Sequence, residues 1–444
     1  MPSSSMSQGA GALAILGLVS VVLLWVSLRL RRRERLIRDL PNSKVQGVFI
    51  GLVELKVTAE AEKPLTSFLA GESCVQYAYT VDEHWSRTVT ETYTDDKGQS
   101  QTRDKVEEGW TTVAKGGAAQ PFYGRDETGI ILIRPEGATF EAVNFFDHAA
   151  TVADPIYHAK GPLVAIRDST GRRRFKEEWI PLHAPLFIVG QAREREDIVA
   201  PEIASGKDVA LFLISAKSQE LVQVKYSVYS WLALLGGLVF AVAAGHFGRD
   251  VAHPPHARLL GAASLLGAAF LAAWATGWAW MVFNSLVGLR ARVRQGWSLI
   301  DVELKRRHDL IPGLVGAVAA LGGHESSVQT AVAALRAQLS ATRTGEPGAD
   351  FAGIAGTVRA VAEKYPSLVA QEGFSRLQKQ LVETEQRIAL ARTYYNDIAT
   401  HFATRVSQIP DAWLAAVGGI RAEPLLAAAD FERAPVNVSL SGAR

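Results

Sequence analysis

Cysteine is almost missing from this chain: Cys74 is the single one in 444 residues. One thiol cannot close an intrachain disulfide, so the sequence neither requires nor excludes an oxidising compartment. It also cannot supply a zinc site built from several thiolates. Net charge is small, +2 with histidine neutral, far below the basic excess of a general nucleic-acid binder. Familiar catalytic signatures are missing too: there is no Gly-x-Ser-x-Gly elbow and no His-Glu-x-x-His. The segment GLVGAVAALGG (313–323) contains glycines but follows a helical pattern, the wrong context for a dinucleotide fingerprint. No catalytic residue, cofactor, metal or nucleic-acid partner is therefore expected.

Charge is missing in three long runs. Residues 10–28 (AGALAILGLVSVVLLWVSL), 229–247 (YSWLALLGGLVFAVAAGHF) and 259–283 (LLGAASLLGAAFLAAWATGWAWMVF) contain no acid, lysine or arginine. Each has about the ~20 residues a helix needs to cross ~30 Å of hydrocarbon. Tyr229 and Trp231 stand at one end of the second run, and three tryptophans crowd the end of the third, as interfacial anchors do. No basic stretch precedes the first run, and arginines follow it where a signal peptide has a small-residue cleavage site, so a span is expected there. The flank SLRLRRRERLIR holds six arginines, and LRARVR and LKRR follow the third run, whereas GRDVAHPPHAR between the second and third holds two. By the positive-inside rule, residues 29–228 and 284–444 are expected in the cytoplasm of a multi-pass inner (plasma) membrane protein. The N-terminus and the short loop fall outside.

Between the first two runs the pattern changes. VQGVFIGLVELKV, CVQYAYTVDEHW, TGIILIRPEG and PLFIVGQA are short β-branched or aromatic runs closed by Gly, Pro and Asp, which are strand and turn signals. TETYTDDKGQSQTRDKVEEGW reads as a hairpin whose polar tip contains Asp96, Lys97 and Gly98. A β-rich (α+β) domain is expected over 45–226. The ordered pieces KPLTSFLAGESCVQYAYTVDE, GIILIRPEGA, EEWIPLHAPLFIVGQA and LFLISAKSQELV resemble the GIDE, or "beside a membrane", domain of membrane-anchored ubiquitin ligases. The ligase members owe their activity to a RING with about eight Cys/His ligands. The C-terminal region here has no cysteine, so this sequence gives that activity no chemical basis.

After Phe283 the pattern is helical. Leu286, Leu289, Val293, Trp297, Ile300, Leu304, His308, Ile311, Val315 and Ala319 recur with spacing 3, 4, 4, which predicts one stripe with little left-handed supercoil. Pro312 should kink or divide that helix. A second stripe runs Phe374, Leu377, Leu381, Thr384, Ile388, Ala391, Tyr395, Ile398, Phe402. Alanine-rich helices near 324–343 and 351–363, broken by TRTGEPGAD and KYPS, complete an expected antiparallel bundle. The segments FNSLVGLRARVRQGWSLIDVELKRRHDLIPGLV and AEKYPSLVAQEGFSRLQKQLVETEQRIALARTYYNDIATHFATRVSQIP, with the ending APVNVSL, closely resemble the LemA family over 281–440. That resemblance implies a membrane-attached helical bundle with no established enzymatic activity. The fold class expected is a multi-domain membrane protein: three transmembrane helices, a GIDE-like β-rich domain and an all-α, LemA-like bundle (284–440).

Few residues stand out as sites. Cys74 reads as a small buried hydrophobe on a strand or, less favoured, as a reactive or acyl-accepting thiol. Arg172, Arg173 and Arg174 read as a solvated loop or as a contact to anionic lipid headgroups. Asn284, Asp301 and Asn396, with Asp309 and Asp397, read either as helix-packing groups or as a partner surface. Glu383 with Arg387 reads as a solvated pair on one helix. His253 and His256 are too few for a structural zinc site. The function expected is a non-enzymatic scaffold or adaptor for membrane or cytoplasmic proteins. The alternatives are a ligase-like or acyl-transfer activity in the β-domain and lipid or small-ligand binding there.

Overall fold

The computed structural model describes residues 3–94, 100–195, 197, 200–206, 211–247, 259–319 and 372–426, with isolated positions between 329 and 363. The chain divides into two compact units, Ser43–Val222 and a helical unit made of Met1–Asn42 with Gln223–Arg444.

The first unit is built from strands β1 (Asn42–Ser43), β2 (Gly51–Glu60), β3 (Leu65–Thr66), β4 (Ser73–Thr94), β5 (Ser100–Ala119), β6 (Phe122–Arg125) and β7 (Ile130–Ile133). It continues through β8 (Thr139–Glu141), β9 (Asn144–Thr151), β10 (Ser169–Pro181), β11 (Pro185–Glu194), β12 (Pro201–Ala204) and β13 (Leu213–Ser215). A short helix α2 (Pro155–Ala159) follows β9. One sheet runs β1-β2-β6-β7-β12-β11-β13-β8, and an extra β2–β11 pairing closes β2, β6, β7, β12 and β11 into a ring. The apolar run PLFIVGQA becomes β11, whose Leu186–Gly190 stretch is buried throughout, as a strand covered on both faces requires. The second sheet runs β3-β4-β10-β9, with β5 on the other side of β4.

The expected hairpin is real and longer than the sequence suggested. β4 pairs with β5 from Gln76↔Ala119 to Thr94↔Ser100, whereas β10 covers β4 only as far as Trp85. Beyond Trp85 the two strands continue as a two-stranded ribbon held by cross-strand contacts such as Arg87–Glu107 at 2.8 Å. Its tip, with Asp96, Lys97 and Gly98, lies outside the described residues.

The helical unit contains α1 (Ser3–Arg38), α3 (Gln219–Phe247), α4 (Leu259–Ala319), α5 (Glu372–Ser407) and α6 (Asp411–Val417). The first three are long and apolar enough to cross a membrane. Serine hydroxyls join α1 to α3: Ser20 donates to the Gly237 carbonyl and Ser27 to that of Ser230, both at 3.0 Å. A Cβ on Gly237 would meet the Phe270 ring at 2.7 Å, so only glycine lets α4 approach there.

α4 and α5 pack antiparallel, with Gly313 against Leu377, Trp297 edge-on to Tyr395 at 5.4 Å, and Ser285 beside Arg405. Three expectations are corrected here. Beyond Phe283 the buried positions of α4 are 286, 289, 293, 296, 300, 304, 307, 311 and 314, which average 3.5 residues per step. His308 is exposed and Arg307 is buried in its place, because Glu385 of α5 meets Arg307 at 3.3 Å. A 3.5-residue repeat is the seam of left-handed helix packing, so the low-supercoil pattern does not hold. Of the kink or break expected at Pro312, the break does not occur: the helix continues to Ala319, with the ring on the exposed side. Arg387 reaches across to Glu303 at 3.9 Å, not along its own helix to Glu383. The second stripe is otherwise as read, with Phe374, Leu381, Thr384, Ile388, Ala391, Tyr395, Ile398 and Phe402 buried. The helices near 324–343 and 351–363, the ending APVNVSL, and His253 and His256 lie outside the described residues, save isolated positions.

Candidate functional site

The end of α1 sets the site. Past its apolar run the helix carries arginines that lie over tryptophans: Arg29 over Trp25, Arg31 over Trp231 and Arg35 over Trp278. The Asp39 amide closes the last turn on the Arg35 carbonyl at 2.8 Å, and Pro41 then prevents the helix from continuing.

Asp39 is buried, and its carboxylate gathers two other helices. It accepts from the Ser285 hydroxyl of α4 and from Arg405 Nη1 of α5 in short contacts, and lies 3.2 Å from His401 Nε2. Arg405 Nε in turn bonds Asp411 at the start of α6, and Asp411 lies 3.6 Å from Arg35 Nη1. Arg292 Nη1 donates to the Asp39 carbonyl at 3.2 Å. Burial alone would raise the Asp39 carboxyl. The His401 hydrogen bond, the Arg405 guanidinium and the Ser285 hydroxyl outweigh it and hold the group down to about 2. Asp39 is therefore ionised at neutral pH, the centre of a polar knot that binds four helices.

Beside the knot lies a cavity of about 310 Å³ lined by Arg32, Arg35, Arg292, Asn284, Gly288 and Trp280, among others. Asn284, singled out from the sequence, is thus on the wall, though its amide also donates to the Trp280 carbonyl of its own helix at 2.9 Å. The other polar candidates of this unit are elsewhere. Asn396 grips the backbone of Leu426, donating to its carbonyl at 3.1 Å and accepting from its amide at 2.9 Å. The neighbouring Tyr395 hydroxyl donates to the Pro424 carbonyl at 2.7 Å. Asp301 is half-buried, and its Oδ1 is a buried atom without a hydrogen bond.

In the β-rich unit Cys74 is fully buried on β4, and burial, reinforced by the nearby Glu177 charge, pushes its thiol up to about 11. A thiol so held stays protonated at neutral pH, which disfavours it as a nucleophile. The three arginines have three different environments. Arg172 is exposed, and Arg174 pairs with Asp147 at 2.7 Å on the surface. Arg173 is buried against Glu83 at 3.0 Å, with Nη1 donating to the Tyr157 and Pro162 carbonyls at 2.9 and 2.8 Å. Arg173 therefore cannot touch a lipid headgroup; it fixes the loop that follows α2. A Cβ on Gly161 would fall on that guanidinium and stand 2.6 Å from the Tyr157 carbonyl, so the loop needs glycine there.

Sequence reasoning missed Asp39, Ser285 and Arg405, and their meeting with His401, because the four are separated by up to 366 positions. One signal was available. The stripe of α5 ends at Phe402, and the next position in register is Arg405, a charge where an apolar residue is expected. Among the described residues no group of three or more His, Cys, Asp or Glu stands together to hold a metal ion.

Comparison with known families agrees with both resemblances. Residues 296–440 match the LemA family model, and residues 90–248 match the GIDE model, described as an E3 ubiquitin ligase. The first match covers the later part of α4 with α5 and α6, and the second runs from the ribbon to the end of α3. Cys74 precedes the GIDE match. No curated protein and no solved structure matches the chain.

Proposed function

We propose that this chain, in which a GIDE segment and a LemA segment meet, is a non-enzymatic scaffold that crosses the membrane with α1, α3 and α4 and gathers protein partners there. The observation that carries the reading is the continuity of α4. Its apolar half passes without a break into the half that packs against α5, and the Asp39 knot ties that junction to α1 and α6. A helix pair fixed to a span in this way presents an extended surface at a set distance from the bilayer. The arginine flanks favour the cytoplasm as the side that carries both the β-rich unit and the helical pair. Against the acyl-transfer alternative stands the buried, protonated Cys74 thiol.

Proximity labelling from a tag fused after Arg444, with a compartment reporter at the same site, tests the reading. The expected result is a cytoplasmic signal with a small, reproducible set of neighbours. The Asp39→Ala variant should lose that set while staying in the membrane fraction. A cytoplasmic signal with no enriched neighbour would sink the scaffold reading, and an external signal would reverse the orientation.

A further inference from the structure

The arginines beside the knot are only partly satisfied by it. The Asp39 carboxylate is taken up by Ser285, His401 and Arg405, and Asp411 is held by Arg405 with Arg35 further off at 3.6 Å. Arg32 has no ion-pair partner among the described residues. Arg292 donates to a neutral backbone carbonyl, and Arg35 Nη1 is buried without a hydrogen bond. All three line the same cavity of about 310 Å³, at the lower end of ligand-pocket volumes, which run roughly 300–1,000 Å³. Leu36 and Trp280 give it an apolar wall, and Asp39 and Ser285 also line it, the Asp39 carboxylate being already taken up by Ser285, His401 and Arg405. The combination asks for an anion with an apolar portion attached.

The level of the cavity narrows the choice. Trp231, Trp274 and Trp278 cluster at 6.3 and 6.5 Å between ring centres, at the same end of the apolar runs as Trp25 and Trp280. Tryptophans gathered in that way mark a membrane–water interface. Phe283, the last residue of the third apolar run, lies against Gly418 just past α6. Ile409, Trp413 and Val417 are exposed at 69, 65 and 88 %, and Trp413 and Val417 stand one turn apart on α6 at this end.

We propose that the Arg32–Arg35–Arg292 cavity binds a phosphoryl group, with the headgroup phosphate of an anionic phospholipid as the source its level favours. Guanidinium forks match phosphate oxygens in pairs, and basic pockets between membrane helices are suited to such headgroups. The proposal rests on the membrane insertion inferred above.

The test titrates phosphatidylglycerol, phosphatidylcholine and, separately, inorganic phosphate into the full chain in mild detergent. Lipid binding is read by native mass spectrometry and protection by thermal melting. Two variants attack the cavity differently. Arg32→Gln with Arg292→Gln removes charge. Gly288→Leu fills the space, since a Cβ on Gly288 meets nothing within 4 Å and leucine suits a helix. Phosphatidylglycerol is expected to bind roughly thirtyfold more weakly to the double arginine variant and roughly tenfold more weakly to Gly288→Leu, with phosphatidylcholine unchanged. Protection by inorganic phosphate that disappears in both variants, without a phosphatidylglycerol response, would keep the phosphoryl site and assign it a free anion. Equal phosphatidylglycerol binding by all three proteins with no phosphate response overturns the site. Alkaline extraction of membranes checks insertion separately, so failure of the span reading is told apart from failure of the cavity.

Discussion

Each unit buries a guanidinium against a carboxylate, but at different ranges. In the β-rich unit Arg173 and Glu83 are direct cross-strand partners on β10 and β4, in a backbone ladder that already holds the two chains together. Their contact adds position to the neighbouring loop through the Tyr157 and Pro162 carbonyls. In the helical unit Asp39 and Arg405 come from helices with no ladder between them, and only side chains fix the register. A sheet uses a buried ion pair to refine a topology it has; packed helices use one to choose the topology.

Breaking the pairs separately sharpens the contrast. Arg173→Ala leaves the Glu83 carboxylate buried without its guanidinium and should cost about 3–5 kcal/mol. Denaturation of the full chain gives the size. Hydrogen exchange should place the loss in peptides around 155–175 while α5 keeps its protection. Asp39→Ala strands Arg405 less completely, because Asp411 remains, and a loss of about 1.5–3 kcal/mol is expected. Exchange should then rise at the end of α5 and in α6, with the β-rich unit unchanged. If both variants loosen the whole chain equally, the distinction between local and register-setting pairs is wrong.

Acidity separates the units by sign. Asp39 is held at about 2 against an ordinary 3.8, so its contribution is complete above the ordinary value and is lost as pH falls through about 2. His401, Arg405, Arg35 and Arg292 surround it, and Asp411 faces the same arginines. Glu54, buried on β2 and accepting from Gln219 at 3.0 Å, behaves oppositely. Burial pushes it up to about 8 despite Lys56, so its contribution is complete below about 4.5 and is lost as pH rises through about 8. Each single-proton effect is limited to about 1.4 kcal/mol per pH unit. Glu54→Gln should flatten the β-rich unit's melting profile between those two values and leave the acid limb of the helical unit alone. The smallest effect is expected at the surface, where Arg172→Ala should leave the melting temperature unchanged.

Much of the helical unit was legible because its signals are local. Three uncharged runs and the Phe374–Phe402 stripe are periodic along the chain, and the structure follows them. His308 and Arg307 show the limit. A stripe drawn through apolar and semi-apolar residues passes over a buried arginine, because the glutamate that makes it tolerable sits on another helix. The β-rich unit was legible as strands and turns, including PLFIVGQA and GIILI, but its closure was not. Whether β2 meets β11 depends on pairings between segments more than a hundred residues apart, which no single run encodes. The same distance hid the knot. Asp39 looks like the end of an arginine-rich helix until Ser285, His401 and Arg405 arrive from elsewhere. Arg172, Arg173 and Arg174 look alike in sequence, and only the pleat sends the middle one inward.

The length of α4 has a mechanical consequence. At about 1.5 Å per residue its 61 residues span about 90 Å, of which about 54 Å lies beyond Phe283. Membrane helices answer changes in bilayer thickness by tilting, and tilts range over roughly 0–40°. A change of only about 5° at the apolar end swings the far end by about 5 Å, given that reach. With its apolar end in lipid, as proposed above, such a helix would act as a gauge needle, its tip carrying a small change in film thickness as far as a side chain is long.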